Sequence, residues 1–524
     1  MKKYLFLLST AFVILFGACK KAVVNTSSNQ IYYNQYIGKG SIDEPFSKIS
    51  VSVSENKAKI GSIKFTLNGT ENFSDIEKIK LYNTGTDTTL NRSAATLLGE
   101  LESPHGDTID MPIKENLPIG NNTLWLTCDI SQNSAEGNLL SVMPISITID
   151  DIEYKLEESN CKREVLIAYN IVYDLNQDNS KYYRIPAIVT ASDGSLVAIS
   201  DKRGDVLTDL PNTISIVARR SSDNGKSWSD ATYIAKGDSL TGKKYGDAAV
   251  VLDKVTNKLI AVFVGDKGLW DSTPEEPQRL YISESSDCGI SWSEPRDITE
   301  EIYKGVYGRK DWQGMFAGSG HALQLENGRL MFVVAARYSS APYNTLHNYA
   351  VYSDDNGKSW QVSQNSPTPS PKNRGDEAKV VELDNGDILM SIRNPDKGYR
   401  KFAISKNKGE TWLPAHVSDN LIEPACNGDI VRYNHNGKSY LIHSLPGSKT
   451  DRKDVTIYLS EDNGKTWNIS RKLVDGMSAY SSLTILEDGT IGCLVEVGKH
   501  ESATDEVGVR LIYYNFTLDW VLNK

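Results

Sequence analysis

Ser221-Ser222-Asp223-Asn224-Gly225-Lys226-Ser227-Trp228 is a stretch that this chain writes repeatedly. The form Ser-x-Asp-x-Gly-x-Ser/Thr-Trp returns at 285–292, 353–360 and 460–467, and a fifth time at 405–412, where Asn407 stands in the Asp place. Each copy follows an alternating run, such as Ile214-Ser215-Ile216-Val217-Ala218-Arg219, and precedes another short strand, so the unit reads as a hairpin turn. In such a turn an Asp or Asn side chain bonds backbone N–H groups two residues on, Gly supplies a positive φ and Trp is an apolar anchor. A calcium loop would need several oxygen ligands at alternate positions ending in a bidentate Glu. The copies have one carboxylate position in common, so the box is structural.

The box tryptophans are spaced in the fifties and sixties, with about four strands per unit, which is the mark of a β-propeller blade. Five boxed blades and one unboxed blade give a six-bladed ring, with blades expected at 185–234, 247–298, 321–362, 377–417, 428–474 and 481–516. The strand at 165–173 has no blade of its own. Paired with the last strand, at 509–516, it closes the ring and removes the free edges. Several blades repeat an inner hairpin around Asp-Gly or Asn-Gly, as in Asp193-Gly194 and Asn385-Gly386. Polar ends of inner strands then gather at one mouth of the central channel.

Upstream, 1–18 has Lys2 and Lys3, an apolar run and Gly17-Ala18 before Cys19, the pattern of an export signal too short to span a bilayer alone. Cys after Gly-Ala resembles a bacterial lipobox, which makes Cys19 the expected lipidated first residue and the lipid the only expected membrane contact. Residues 19–30 read as a polar tether. Residues 31–160 carry alternating runs broken by Asn-Gly and Gly-Asn-Asn turns, and read as a β-sandwich without a box. Tyr32, Tyr33 and Tyr36 are either sugar-stacking aromatics or core residues. The expected class is all-β, a sandwich followed by a propeller at 161–524.

Composition narrows the partners. A formal net charge of −10 over 524 residues argues against nucleic acid, and 24% charged with 39% hydrophobic residues is an ordinary soluble balance. The cysteines beyond Cys19 show no Cys-x-x-Cys spacing, and the seven His include no pair at metal-ligand spacing, so neither a disulfide framework nor a metal or other cofactor is expected.

The polar residues at the starts and ends of inner strands are Arg184 in Tyr-Arg-Ile-Pro, Asp201-Lys202-Arg203, Asp209 on the loop that follows, Glu377, Arg393, Arg452 and Tyr480. They occupy equivalent places on different blades, so all can face one cavity. The boxes, an Arg-Ile-Pro opening the first blade and a Tyr opening the last resemble the bacterial exo-α-sialidase (neuraminidase) family over 168–516. The one departure is Asn407 in the fourth box.

The resemblance implies hydrolysis of terminal α-linked sialic acid from sialylated glycans. Tyr480 would be the nucleophile, Glu377 its base and Asp209 the general acid. Arg184, Arg393 and Arg452 would grip the sugar's carboxylate, and Arg203 and Asp247 would be further pocket residues near its C4 and N-acetyl groups. The chemistry gives these types a reason. Sialic acid bears an ionised carboxylate at its anomeric carbon, which planar arginines can bind bidentately. An anionic attacker would meet that charge, whereas a phenol is neutral and needs a neighbouring base. Two alternatives stand beside it: a transglycosylase with the same residues, and a non-catalytic sialic-acid lectin that would be favoured if Tyr480, Glu377 or Asp209 were absent. Trp270, Trp312, Met315 and Phe316 either wall the pocket or anchor the core.

Overall fold

The computed structural model describes residues 24–30, 35–54, 57–90, 92, 94–157, 162–304, 312–338, 345–499 and 508–523. The expected signal at 1–18, Cys19, Tyr32, Tyr33 and Cys161 lie outside them. The chain forms two compact units, Met1–Asn34 with Gly40–Glu164, and Gln35–Lys39 with Val165–Lys524.

The two larger sheets among the described residues of the first unit are antiparallel. One runs in the order Val24–Gln30, Glu44–Val53, Gly120–Ile130, Ile76–Asn83, Thr96–Glu102, and the other Ile152–Lys155, Met143–Ile149, Ala58–Thr66, Thr108–Pro112. Alternation does the sorting. Ile49, Val51 and Val53 on one strand and Ile60, Ile63 and Phe65 on another are fully or almost fully buried, while the residues between them are half-exposed or exposed. Val24–Gln30, expected as tether, is instead a strand paired from Val24↔Val53 to Gln30↔Ser47. Its polar composition suits a sheet edge, where the backbone supplies the hydrogen bonds.

Gln35–Lys39, expected inside the sandwich, belongs to the second unit. Tyr36 is buried there, with its ring edge-on to Tyr514 at 5.8 Å and to Trp520 at 6.2 Å. It is a core residue and not a sugar platform. An aromatic flanked by Ile37 buries more area as an anchor than it could use at a surface.

The second unit is the six-bladed propeller, and consecutive strands within each blade pair antiparallel. The innermost strands of five blades are Tyr183–Thr190, Tyr245–Asp253, Ala378–Glu382, Asp429–His435 and Ser478–Ile485. The third blade opens earlier than expected. Trp312–Ala317 and Leu323–Gln324 both pair with Leu330–Tyr338, while Gly320–His321 crosses to Tyr245–Asp253 as a parallel bridge. Trp312 and Met315 therefore sit on a strand with 0% exposure, as core anchors. Ala168–Tyr173 pairs with Gly508–Phe516 and closes the ring.

The box turns are closed by their own side chains. In the first, Ser221 Oγ donates to Asp223 Oδ1 at 2.7 Å, Ser227 N and Oγ donate to Asp223 at 2.9 and 2.5 Å, and Gly225 N donates to Ser221 Oγ at 2.9 Å. Burial pushes the Asp223 carboxyl up, but these bonds outweigh it and hold it below the usual range. With both carboxylate oxygens so occupied, the box is no cation loop.

The box glycine has a second task. A Cβ at Gly225 would lie 2.0 Å from the Tyr513 ring, at Gly289 2.6 Å from Val197, at Gly357 2.9 Å from Ile260, at Gly409 2.3 Å from Met331 and at Gly464 2.8 Å from Leu389. Each of those neighbours belongs to the preceding blade. The glycine thus gives the turn its positive φ, +87° at Gly225, and lets adjacent blades close up.

Candidate active site

The Tyr-Arg-Ile-Pro stretch breaks the ladder of the first blade. Pairing with Leu196–Lys202 shifts register between Arg184 and Ala187, Ile185 takes φ +62°, and Pro186 has no N–H to give. A β-branched residue in the left-handed region is strained and needs a local reason. Glu496 supplies it: one carboxylate oxygen accepts from Ile185 N at 2.9 Å, and the pair of oxygens accepts from Arg184 Nε and Nη2 at 3.1 and 3.2 Å. Glu496 is fully buried and comes from the sixth blade, whose own Tyr480 N donates to it at 3.3 Å. Arg184 is therefore fixed by its side-on fork, with Nη1 the nitrogen outside that fork.

Tyr480 lies at the floor of the site, 6% exposed, with Arg184 at 5.1 Å and Arg452 at 5.6 Å over its ring. Its hydroxyl donates to Glu377 Oε1 and accepts from Arg393 Nη1 at 3.1 Å. Glu377 and Arg393 stand opposite one another at the ends of adjacent strands, joined by the Arg393 N–H to Glu377 C=O bond at 2.8 Å and the Nη1–Oε2 ion pair at 2.5 Å. Burial and the Glu377 charge drive the phenol well above its ordinary value, and the three arginines only partly offset this. Burial also pushes Glu377 up, yet Arg393 and the Tyr480 hydrogen bond outweigh it and hold the carboxyl well below the usual range. At rest the proton is on Tyr480 and Glu377 is the carboxylate.

The remaining expected residues form a second cluster. Asp209 projects from the loop between Leu196–Lys202 and Ser215–Ser221 with its side chain 71% exposed, and pairs with Arg203 Nη1 at 2.7 Å. Arg203 is buried and its Nη2 pairs with Asp201 at 2.9 Å. Asp201 also accepts from the Asp247 N–H at 3.1 Å, which ties the first blade to the second where Asp247 takes φ +56°. Desolvation raises Asp201 to about 6 against the pull of Arg203, and raises Asp247 well above the carboxylate range with help from Asp201 and Asp209. The two clusters adjoin: the Glu377 charge acts on Asp247, and that of Arg184 on Arg203.

The structure thus brings together all eight expected residues, Arg184, Arg203, Asp209, Asp247, Glu377, Arg393, Arg452 and Tyr480. It adds Glu496 and Asp376, which the sequence did not single out, and gives Asp201, legible only as part of the Asp-Lys-Arg strand end, the role of a partner to Arg203. Glu496 did carry a signal, because it is the lone charge in Ile491-Gly492-Cys493-Leu494-Val495-Glu496-Val497, a run otherwise written for a strand buried on both faces. Asp376 sits beside Glu377, with Oδ2 3.3 Å from Arg393 Nε and its backbone carbonyl accepting from Asn348 Nδ2 at 2.5 Å. Trp270, 42% exposed, is held in a loop whose Leu269 and Ser272 carbonyls accept from Arg337 Nη2 at 3.1 and 2.8 Å.

Fold and site together define a class: a β-propeller protein whose channel mouth holds a buried Tyr–Glu pair under guanidinium groups suited to a carboxylate-bearing ligand. Residues 209–493 match the family described as the BNR repeat-like domain, and residues 28–153 match the N-terminal domain of BNR-repeat neuraminidase. A sialidase of Micromonospora viridifaciens is 32% identical over 356 residues, 65% of this chain and 52% of that one, so the chain spans about half its length. A sialidase of Bacteroides fragilis is 27% identical over 477 residues, 84% of each chain. Among solved structures, the Hadza microbial sialidase Hz136 shares the fold with a TM-score of 0.67 at 22% identity, over 94% of this chain and 99% of that one. The chain belongs to the BNR-repeat sialidase family.

Proposed function

We infer that the protein is an exo-α-sialidase that hydrolyses terminal α-linked sialic acid from glycoproteins, glycolipids or oligosaccharides with retention at the anomeric carbon. The observation that carries this is the Tyr480 hydroxyl bonded to Glu377, with Arg184 and Arg452 over its ring and Arg393 on its oxygen. A buried phenol with only a structural task needs one hydrogen-bond partner, not three guanidiniums around it.

In the first half-reaction the Tyr480 oxygen bonds to the anomeric carbon as the bond from that carbon to the leaving oxygen breaks. The phenolic proton passes to Glu377, and Asp209 donates a proton to the leaving oxygen. In the second, Asp209 takes a proton from water, the water oxygen bonds to the anomeric carbon as the bond from that carbon to the Tyr480 oxygen breaks, and Glu377 returns its proton to the departing Tyr480 oxygen. Arg393 is the coupling element. At rest it holds Glu377 as a poor base, and a substrate carboxylate that draws it away restores basicity when it is needed.

The test is release of sialic acid from α2,3- and α2,6-linked sialyllactose, with NMR of the first product, for the parent and Tyr480→Phe. The account expects the α-anomer from the parent and severe loss in the variant. Binding without release would make the protein a lectin, and an anhydro or transferred product a transglycosylase. We further propose export with Cys19 as lipid acceptor, supported by the 1–19 pattern and tested by palmitate labelling of the parent against Cys19→Ser.

A further inference from the structure

The site's own carboxylates, Asp201, Asp209, Asp247, Asp376, Glu377 and Glu496, outnumber its guanidiniums, Arg184, Arg203, Arg393 and Arg452. With every one of them ionised the mouth would repel an anionic sugar, so a site built to capture a carboxylate has to carry protons on some of its own. The arginine forks show where. Arg184 gives its Nε/Nη2 fork to Glu496. Arg393 gives Nη1 to Glu377 and Tyr480, which leaves its Nε/Nη2 edge as the face for a bidentate ligand. Asp376 Oδ2 stands at that edge, 3.3 Å from Nε, without the alignment of a hydrogen bond.

We propose that Asp376 is a positioning residue that competes with the substrate's carboxylate for the Nε edge of Arg393, and that its protonation state sets the pH range of substrate capture. Deprotonated, it holds Nε as an ion pair. Protonated, it releases that edge to the ligand. The inference rests on the reading of the site as one for an acidic sugar.

The surroundings fit a carboxyl that changes state near neutrality. Asn348 anchors the backbone of Asp376 through its carbonyl, and a Cβ on the preceding Gly375 would lie 1.7 Å from Asn348 Oδ1, so the turn is fixed by close approach. The ionisable groups facing Asp376 are Glu377 from its own strand end and Arg393 from the next strand, with Tyr480 of the sixth blade bonded to both of these. Desolvation raises the Asp376 carboxyl to about 7, against the pull of Arg393 and reinforced by Glu377. A ligand that prefers the protonated form loses affinity above that pH by up to about tenfold per unit, and takes up a proton on binding.

Two measurements test this. Calorimetric binding of a 2,3-unsaturated sialic acid analogue to the parent at pH 8, in buffers of different ionisation heat, should show uptake of close to one proton per ligand. The slope of log KM against pH above 7 for a sialoside should be about one in the parent and near zero in Asp376→Asn, with the pH dependence of kcat retained. Absence of proton uptake, or the same KM slope in Asp376→Asn, overturns the proposal. If the variant does not fold, proton uptake by the parent decides alone. If the parent neither binds the analogue nor releases sialic acid, the functional reading falls and this one with it.

Discussion

The aspartates of the box turns and the carboxylates at the channel mouth are the same chemical group under opposite demands. In each box Asp, at 223, 287, 355 and 462, the hydrogen bonds come from residues within four positions along the chain, and they hold the carboxyl low against the cost of burial. At the mouth some partners come from other blades: Glu496 lies 312 residues from Arg184, and Tyr480 lies 103 from Glu377. There desolvation prevails for Asp201, Asp247 and Asp376, all of which are raised. A carboxylate closed by several local hydrogen bonds becomes a rivet, whereas one desolvated beside other carboxylates keeps a proton affinity that a ligand can change.

The largest expected effect is on the mouth side. Tyr480→Phe should lower kcat by roughly 10³-fold or more and leave the thermal midpoint nearly unchanged, because the ring stays packed and only the hydroxyl goes. Equal loss of stability and activity would make the mouth a rivet like the boxes. Next, Glu496→Gln takes the charge from a fully buried partner of Arg184 and of the strained Ile185 N–H, and should cost about 3–5 kcal/mol in urea unfolding. Gly225→Ala comes third, at roughly 1–3 kcal/mol, since φ is +87° and the Tyr513 ring fills the space; activity per folded molecule should hold.

The smallest effects carry the sharpest contrast. Asp223 has a lowered folded pKa, so its contribution is present above the unfolded value near 4 and is lost as pH falls through the folded one. Asp223→Asn should therefore be less stable than the parent at pH 7, by about 1 kcal/mol, with the gap closing in acid. Asp376 has the opposite sign. Raised to about 7, it carries its contribution below the unfolded value and loses it as pH rises through 7. Asp376→Asn should gain on the parent between pH 4 and 8 and converge with it in stronger acid. Unfolding midpoints across that range read both. Asn407→Asp, which restores a carboxylate to the fourth box, should gain a few tenths of a kcal/mol.

The same contrast explains what the sequence made legible. The boxes were readable because the bonds that close their turns are local, and from their spacing came the blade count and the ring closure through Ala168–Tyr173. Arg184, Glu377, Arg393 and Tyr480 were readable as strand-end positions, and their roles came from family resemblance. Asp201 was readable only as part of the Asp-Lys-Arg strand end, and Glu496 and Asp376 were not found, because their role as partners shows only when folding places an arginine of another blade or strand against them. Trp312 and Tyr36 were misplaced or left open for a related reason: an aromatic in a short strand and one in a surface groove have the same local sequence, and only the tertiary burial separates them.

In the proposed reaction Tyr480 becomes covalently bound to the sugar. Incubation with 2,3-difluorosialic acid, which slows breakdown of a glycosyl intermediate, followed by peptide mass spectrometry, tests it most directly. One sialyl-mass adduct is expected on the peptide containing Tyr480, absent in Tyr480→Phe. An adduct on Glu377, Asp209 or another residue, or steady hydrolysis of sialyllactose with inversion and no adduct, would contradict it.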